Sequence, residues 1–205
     1  LMRQPFFTRA SRALRHPRKV DRVVDLSVAI PADRTADPNI DMLAGPSTGR
    51  NADMSVDPST NICPPTGRPT MPPERFFEKI KKNEIEILVD VRLNNQSQLA
   101  GFTKGKDLSY FLKELCHCKY DHNISYAPTK EILQAYKKET ISWSEYEEKY
   151  VELLIKRKVE KDFENKYLKY SKVLLLCSEP TPECCHRRLL AEYLKNKMEC
   201  NVIHI

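Results

Sequence analysis

Residues 73–205 predict an α/β domain, a small and mostly parallel sheet flanked by helices, behind a disordered Pro/Arg-rich N-terminal extension. Three observations carry that expectation. Short apolar runs alternate with segments of helical periodicity, the element order of layered α/β folds. The runs Ile85–Val91 and Lys172–Cys177 have unbroken apolar centres, Ile87–Val89 and Val173–Cys177, rather than strict alternation, as strands covered on both faces do. Composition changes sharply near residue 75: the first 75 residues hold ten Arg, one Lys and eleven of the fourteen Pro, whereas the rest hold four Arg, nineteen Lys and three Pro.

The elements follow in order. Leu1–Lys19 has six positive residues and no acid, like a transit peptide, although a basic leader without structure is the simpler reading. Val23–Ile30 has strand-like β-branched spacing, and the Pro-rich stretch 31–75 reads as linker because it lacks the apolar surface to offset its ordering entropy. Glu74–Lys82 sets Phe76, Phe77 and Ile80 on one helical face. Ile85–Val91 is a buried strand with Asp90 and Arg92 at its carboxyl end. Asp107 is placed to cap a helix bearing Leu108, Phe111, Leu112 and Leu115. Tyr120–Ile124 is a short strand, and Thr129 caps a helix reaching Lys137. Ser142 and Glu145 form a capping box ahead of Tyr146, Tyr150, Val151 and Leu154, and Phe163–Tyr170 extends this helical region. Lys172–Cys177 is the most apolar strand, Cys184–Lys195 the helix after it, and Asn201–Ile205 a final strand. The expected domains are thus an extension over 1–72, with a possible strand at 22–30, and the α/β domain over 73–205.

Charge does not demand a polyanionic partner. The two parts carry 11 basic against 8 acidic residues and 23 against 20, so each is only +3 and mixed in sign. No apolar run approaches the roughly eighteen residues of a membrane span. Seven cysteines, with Cys116 near Cys118 and Cys184 next to Cys185, do not suit a disulfide framework. Reduced thiols in a soluble, cytoplasmic protein are the expectation.

The quoted motifs also carry a resemblance. Val89-Asp-Val-Arg92, Gly101-Phe-Thr-Lys104, Tyr120-x-His122, Ala127-Pro-Thr129, Trp143-x-x-Tyr146, Leu175-Leu-Cys-x-Glu179, Cys185-His-Arg187 and Val202-Ile-His-Ile205 occur in an order that resembles the family known as domain of unknown function 488, over about residues 73–205. The resemblance implies a compact α/β domain and no particular reaction. Members of that family usually begin with a short strand ahead of the first helix. Here Pro64–Pro73 stands in its place and cannot be a central strand. Either the sheet lacks a strand, or Val23–Ile30 replaces it across the linker.

Ligands of open α/β sheets bind outside the carboxyl ends of the strands, which directs attention to two corners. One is Asp90 and Arg92; the other is Cys177 to Arg188. A thiol at a helix start beside His186, Arg187 and Arg188 should have a depressed pKa, making Cys185 a candidate nucleophile. Glu179 and His186 are the candidate proton carriers, and Asp90, Arg92, Arg187 and Arg188 the candidate ligand-binding residues. The structural alternatives are a buried filler for Cys185 and ion pairs for the charged groups. Cys177 sits where a phosphatase or sulfurtransferase nucleophile would, but the following loop is too long and has two prolines. The motifs Cys116-His117-Cys118 and Cys184-Cys185-His186 lack zinc-ligand spacing, so neither a metal nor another cofactor is expected. The aromatic residues follow helical spacing and read as core. The sequence therefore supports an enzyme acting on a phosphorylated or otherwise anionic substrate, nucleotide or nucleic acid included, or alternatively a non-catalytic module that binds nucleic acid or protein through the same rim. Oligomeric state is not legible.

Overall fold

The structure, a computed structural model, describes residues 22–26, 71–96, 101–179, 182–198 and 200–205. The leader, residues 31–70 of the expected linker and residues 27–30 of the expected first strand lie outside the described residues, and so does the expectation of disorder; residues 73–75 of that linker instead open the first helix.

Eleven regular elements, apart from two short 3-10 turns, follow one another among the described residues: β1 (Arg22–Leu26), α1 (Pro73–Lys82), β2 (Ile87–Asp90), α2 (Gly105–Cys116), β3 (Lys119–His122), α3 (Lys130–Lys137), α4 (Trp143–Arg157), α5 (Val159–Tyr167), β4 (Lys172–Leu176), α6 (His186–Lys197) and β5 (Asn201–His204). The strands form one five-stranded sheet in the order β3-β2-β4-β1-β5. Every pairing is parallel. The sheet is thus wholly parallel, and the island at Arg22–Leu26 takes part in it. It lies between β4 and β5.

Local chemistry accounts for the helix limits. Pro73 opens α1, where a missing N–H costs nothing. Thr129 caps α3 by accepting from the Ile132 N–H, and Ser142 with Glu145 completes the capping box of α4. Helix α2 departs from expectation. Its N-cap is Lys104, which makes no side-chain cap bond, and Asp107 lies inside the first turn. There its charge still favours the positive helix end. The helical stretch after Ser142 breaks into α4 and α5 at Lys158, whose φ is 53°.

Two cores lie on the two faces of the sheet. Leu88, Leu174 and Leu176 pack with Phe76, Phe77 and Ile80 of α1 and Leu108 and Leu112 of α2. Val89, Val173, Leu175 and Cys177 pack with Tyr146, Tyr150 and Leu154 of α4, Phe163 and Tyr167 of α5 and Leu190 and Leu194 of α6. Alternate strand residues therefore serve opposite layers, which is why the central strands read as unbroken apolar runs. Many of the aromatic residues are core, as their spacing implied: Tyr126, Tyr150, Phe163 and Tyr167 are buried, whereas Tyr110 on α2 is exposed. Their hydroxyls find partners, since Tyr150 donates to the Tyr126 carbonyl at 2.6 Å and Tyr126 to Asp162 at 2.9 Å. No helix among the described residues is long and apolar enough to cross a membrane.

Two tests follow from this arrangement. Val24 pairs with Leu174 on one side and Ile203 on the other, so Val24→Pro should lower unfolding free energy by about 3 kcal/mol or more in urea titration of the full chain. A change below about 0.5 kcal/mol would mean that β1 is not a central strand. Burial alone would raise the Asp162 pKa, but hydrogen bonds from Lys166, Asn123 and Tyr126 outweigh it and hold the carboxyl below its usual range. That stabilisation is present above the unfolded pKa of about 4 and is lost as pH falls through the folded value. Asp162→Asn should therefore be less stable than the parent at neutral pH, with the difference shrinking in acid, as urea midpoints at about pH 7 and pH 3 will read.

Candidate functional site

Pairing of β2 with β4 sets Asp90 opposite Leu176, so the residues after each strand leave the sheet side by side. The backbone of Val91 joins them. Its N–H donates to the Leu176 carbonyl at 3.0 Å, and its carbonyl accepts from His186 Nε2 at 3.2 Å. The two corners singled out in the sequence thus meet at the carboxyl rim, but as two abutting clusters on opposite sides of the sheet edge.

The first cluster faces α2. Asp90 is fully buried and Arg92 nearly so. Arg92 Nε donates to Asp90 Oδ1 at 2.8 Å and Nη2 to Oδ2 at 2.5 Å, a bidentate pair. The Arg92 backbone N–H adds a third bond to Asp90, and Tyr120 Oη a fourth at 2.8 Å. Arg92 Nη2 also donates to the Thr103 carbonyl, and its own carbonyl lies 2.8 Å from His122 Nε2. Asn95 supports Tyr120 at 3.0 Å and accepts the Gly105 N–H on its carbonyl. A Cβ at Gly105 would stand 2.5 Å from Asn95 Nδ2, so only glycine lets α2 start this close. Burial, with the Asp90 charge, pushes the Tyr120 phenol well above its usual range, and it stays a donor. Asp90 and Arg92, read as ligand-binding from the sequence, are engaged with each other.

The second cluster faces α4 and α6. Leu176 ends β4, and Cys177 enters the core beneath the first turn of α6, whose N-cap is Cys185. Cys177 Sγ lies 3.4 Å from His186 Nδ1 and in very short contact with Glu179 Oε2. Cys185 Sγ lies 3.4 Å from the same carboxylate oxygen, and His186 Nδ1 3.8 Å from it. One ligand atom from each of the four residues falls within 4.8 Å of all the others. Cys177, Cys185 and His186 are buried, whereas the Glu179 side chain is 34% exposed and forms the mouth of the cluster.

Burial reverses one expectation. The Cys185 thiol is pushed up, not down, because desolvation penalises a thiolate and outweighs the favourable helix end, and the Cys177 thiol is pushed up further. For His186 burial opposes the charged ring, but the Cys177 sulfur and the Glu179 carboxylate outweigh it and hold the pKa at about 9. The resting cluster therefore keeps its protons. Arg187 is fully buried, and its Nη1 donates to the Glu179 carbonyl at 3.2 Å, bracing the loop rather than pairing with that carboxylate. Its burial lowers the guanidinium pKa to about 9. Arg188 lies outside the cluster and straps α6 to α4, bonding Glu147, Glu192 and the Pro182 carbonyl.

Cys177 is the member that sequence reasoning set aside; its position two residues before Glu179 at a strand end was the available signal. Cys116 and Cys118 sit by the end of α2 and contribute nothing here. Cys184 is disulfide-bonded, unlike the expected all-reduced set, while Cys116, Cys118, Cys177, Cys185 and Cys200 are free. Two clefts of the described surface lie away from the rim, one between α1 and α2 around Phe77, Phe102 and Phe111, another at the amino ends of the strands around Glu86, Lys119 and Tyr170.

Asp90→Ala leaves the Arg92 guanidinium buried without its counter-charge and should cost about 3–5 kcal/mol in chemical denaturation. Arg188→Ala, at partly exposed pairs, should cost about 1 kcal/mol or less. Equal effects of the two would contradict the burial described.

No curated protein and no solved structure matches the chain. A family model described as "Domain of unknown function DUF488" matches residues 72–194, from the start of α1 through most of α6 and across both clusters, and the chain belongs to that family.

Proposed function

We propose that the domain is an enzyme acting on a small anionic substrate at the carboxyl rim of its sheet. The observation that carries this reading is the convergence of two thiols, an imidazole and a carboxylate within 4.8 Å. Four groups of different proton affinity meeting at a strand-end rim is an arrangement suited to chemistry more than to packing. Glu179 and His186 are the proton carriers. Glu179 is the group that meets solvent first, and His186 lies behind it at 3.8 Å. Cys185 and Cys177 become nucleophilic only after losing a proton, since burial holds both thiols up. Glu179 Oε2 is in contact with both sulfurs and is the base within reach, because His186, with its pKa held at about 9, already carries its proton at neutral pH.

The anionic character of the substrate is supported by two sources of positive potential. The amino terminus of α6 opens beside Glu179, and Arg187 lies buried under the same loop. Arg92 and Arg188 hold the rim in shape through Asp90, Glu147 and Glu192. That internal pairing disfavours a nucleic-acid or protein docking module on this rim, because such a surface needs cations free to meet phosphates.

A thermal-shift panel of phosphorylated and carboxylated metabolites on the purified full chain tests the reading. At least one compound should raise the melting temperature of the parent and leave Glu179→Gln and His186→Ala unmoved, while Arg75→Ala on α1 responds like the parent. An unchanged ligand response in both rim variants, with native circular dichroism, would overturn the proposal.

A further inference from the structure

We infer that Cys177, Glu179, Cys185 and His186 form a binding site for a divalent transition-metal ion, with zinc the ion that the donor set fits best. The inference stands without the proposed enzyme reading and narrows it: with the ion bound, both sulfurs and His186 Nδ1 are ligands, so Glu179 alone of the four stays free to exchange with substrate or water. It also reverses the expectation drawn from the Cys116-His117-Cys118 and Cys184-Cys185-His186 spacings, because the ligands come from a different combination of residues.

Geometry is the main argument. With zinc–sulfur bonds of about 2.3 Å and zinc–nitrogen or zinc–oxygen bonds of about 2.1 Å, the edges of a tetrahedral ligand set run from about 3.4 to 3.8 Å. The sulfur of Cys177 lies 3.4 Å from His186 Nδ1, the sulfur of Cys185 3.4 Å from Glu179 Oε2, and His186 Nδ1 3.8 Å from the same oxygen. These three of the six separations match tetrahedral edges, and the whole set spans no more than 4.8 Å. The contact of Cys177 with Glu179 is shorter than an edge, and it closes onto the one ligand with room to move outward, since Glu179 alone is partly exposed.

The surroundings of His186 give an independent argument. Its Nε2 faces the Val91 carbonyl at 3.2 Å, and a carbonyl accepts only if Nε2 carries the proton. That bond leaves Nδ1 as the ring nitrogen able to bind a metal, as a backbone carbonyl does for metal-binding imidazoles; the Cys177 sulfur lies 3.4 Å from Nδ1 and 3.3 Å from Nε2, so the ring turns on coordination to aim Nδ1 at the shared centre. Tyr150 lies edge-on to the ring at 5.7 Å between centroids and limits its rotation. Two sulfurs, one imidazole and one carboxylate suit zinc by softness and charge. Coordination releases the two thiol protons, and any second imidazole proton, to solvent, and the pair of thiolates neutralises the ion. Three buried ligands and one exposed carboxylate also match a site whose fourth position can open to water or substrate.

The test is cobalt substitution on the purified, tag-free full chain, stripped with a chelator and checked for fold by circular dichroism. One equivalent of Co²⁺ should give near-ultraviolet thiolate-to-cobalt charge-transfer absorption and tetrahedral visible bands, and one equivalent of Zn²⁺ should abolish both. Cys116→Ser should keep the spectrum, since that thiol lies at the end of α2. Cys177→Ser and Cys185→Ser should each halve the charge-transfer intensity, and Glu179→Gln should keep it while binding cobalt at least about ten-fold more weakly. Glu179→Gln keeps the test decisive where a buried serine fails to fold. A folded parent chain with no charge-transfer band, or a band lost in Cys116→Ser and kept in the rim variants, overturns the site. Metal binding without a ligand-induced thermal shift would leave this inference standing and remove the enzyme reading; the reverse pattern would do the opposite.

Discussion

The backbone of Val91 is the constraint on which the rim depends. Its N–H extends the parallel ladder by one more bond, to Leu176, after β2 has ended. Its carbonyl then fixes His186 on the first turn of α6. A single residue thereby ties the ends of the two central strands to the helix that supplies the imidazole. Parallel pairing makes this possible, because the carboxyl ends of neighbouring strands lie at the same edge. Had β2 and β4 been antiparallel, Asp90 and Cys177 would stand at opposite ends of the sheet.

The same edge separates two kinds of polar chemistry. On the α2 side, Asp90 receives bonds from the Arg92 side chain and backbone and from Tyr120, leaving it saturated and rigid. Buried charge is tolerated there because every partner is supplied by the chain. On the α6 side, the polar atoms crowd one another and converge on a common centre instead of finding separate partners. A region built only for stability resolves such crowding with apolar side chains. The contrast is why the thiol cluster carries the functional argument and the Asp90–Arg92 pair carries the scaffold. Arg188, exposed enough to look like a ligand-binding residue, belongs with the scaffold as well, through Glu147 of α4.

Much of this architecture was legible in the sequence, and the reasons are local. Thr129 and the Ser142–Glu145 box announce the starts of α3 and α4, and Leu174–Leu176 and Leu88–Val89 read as buried because each face of the sheet has its own helices. The position of β1 was not legible, since hydrophobic spacing identifies a strand without naming its neighbours. Lys104 displaced Asp107 as N-cap of α2 because Gly105 must sit against Asn95, a tertiary demand that overrides capping preference. At the site, Glu179, Cys185 and His186 were found by their place around a helix start. Their burial was not, and burial decides the protonation of the thiols. Cys177 was set aside by comparison with a phosphate-binding loop, a test of the wrong chemistry for a residue that points into the core.

X-ray absorption at the zinc edge of the full chain, purified in zinc-supplemented buffer, tests the central claim that these four side chains share one centre. The account predicts a four-coordinate first shell with two sulfur scatterers and two nitrogen or oxygen scatterers, one showing the outer-shell signature of imidazole. A shell of oxygen alone, or one without sulfur, would show that the thiols of Cys177 and Cys185 do not converge and would contradict it.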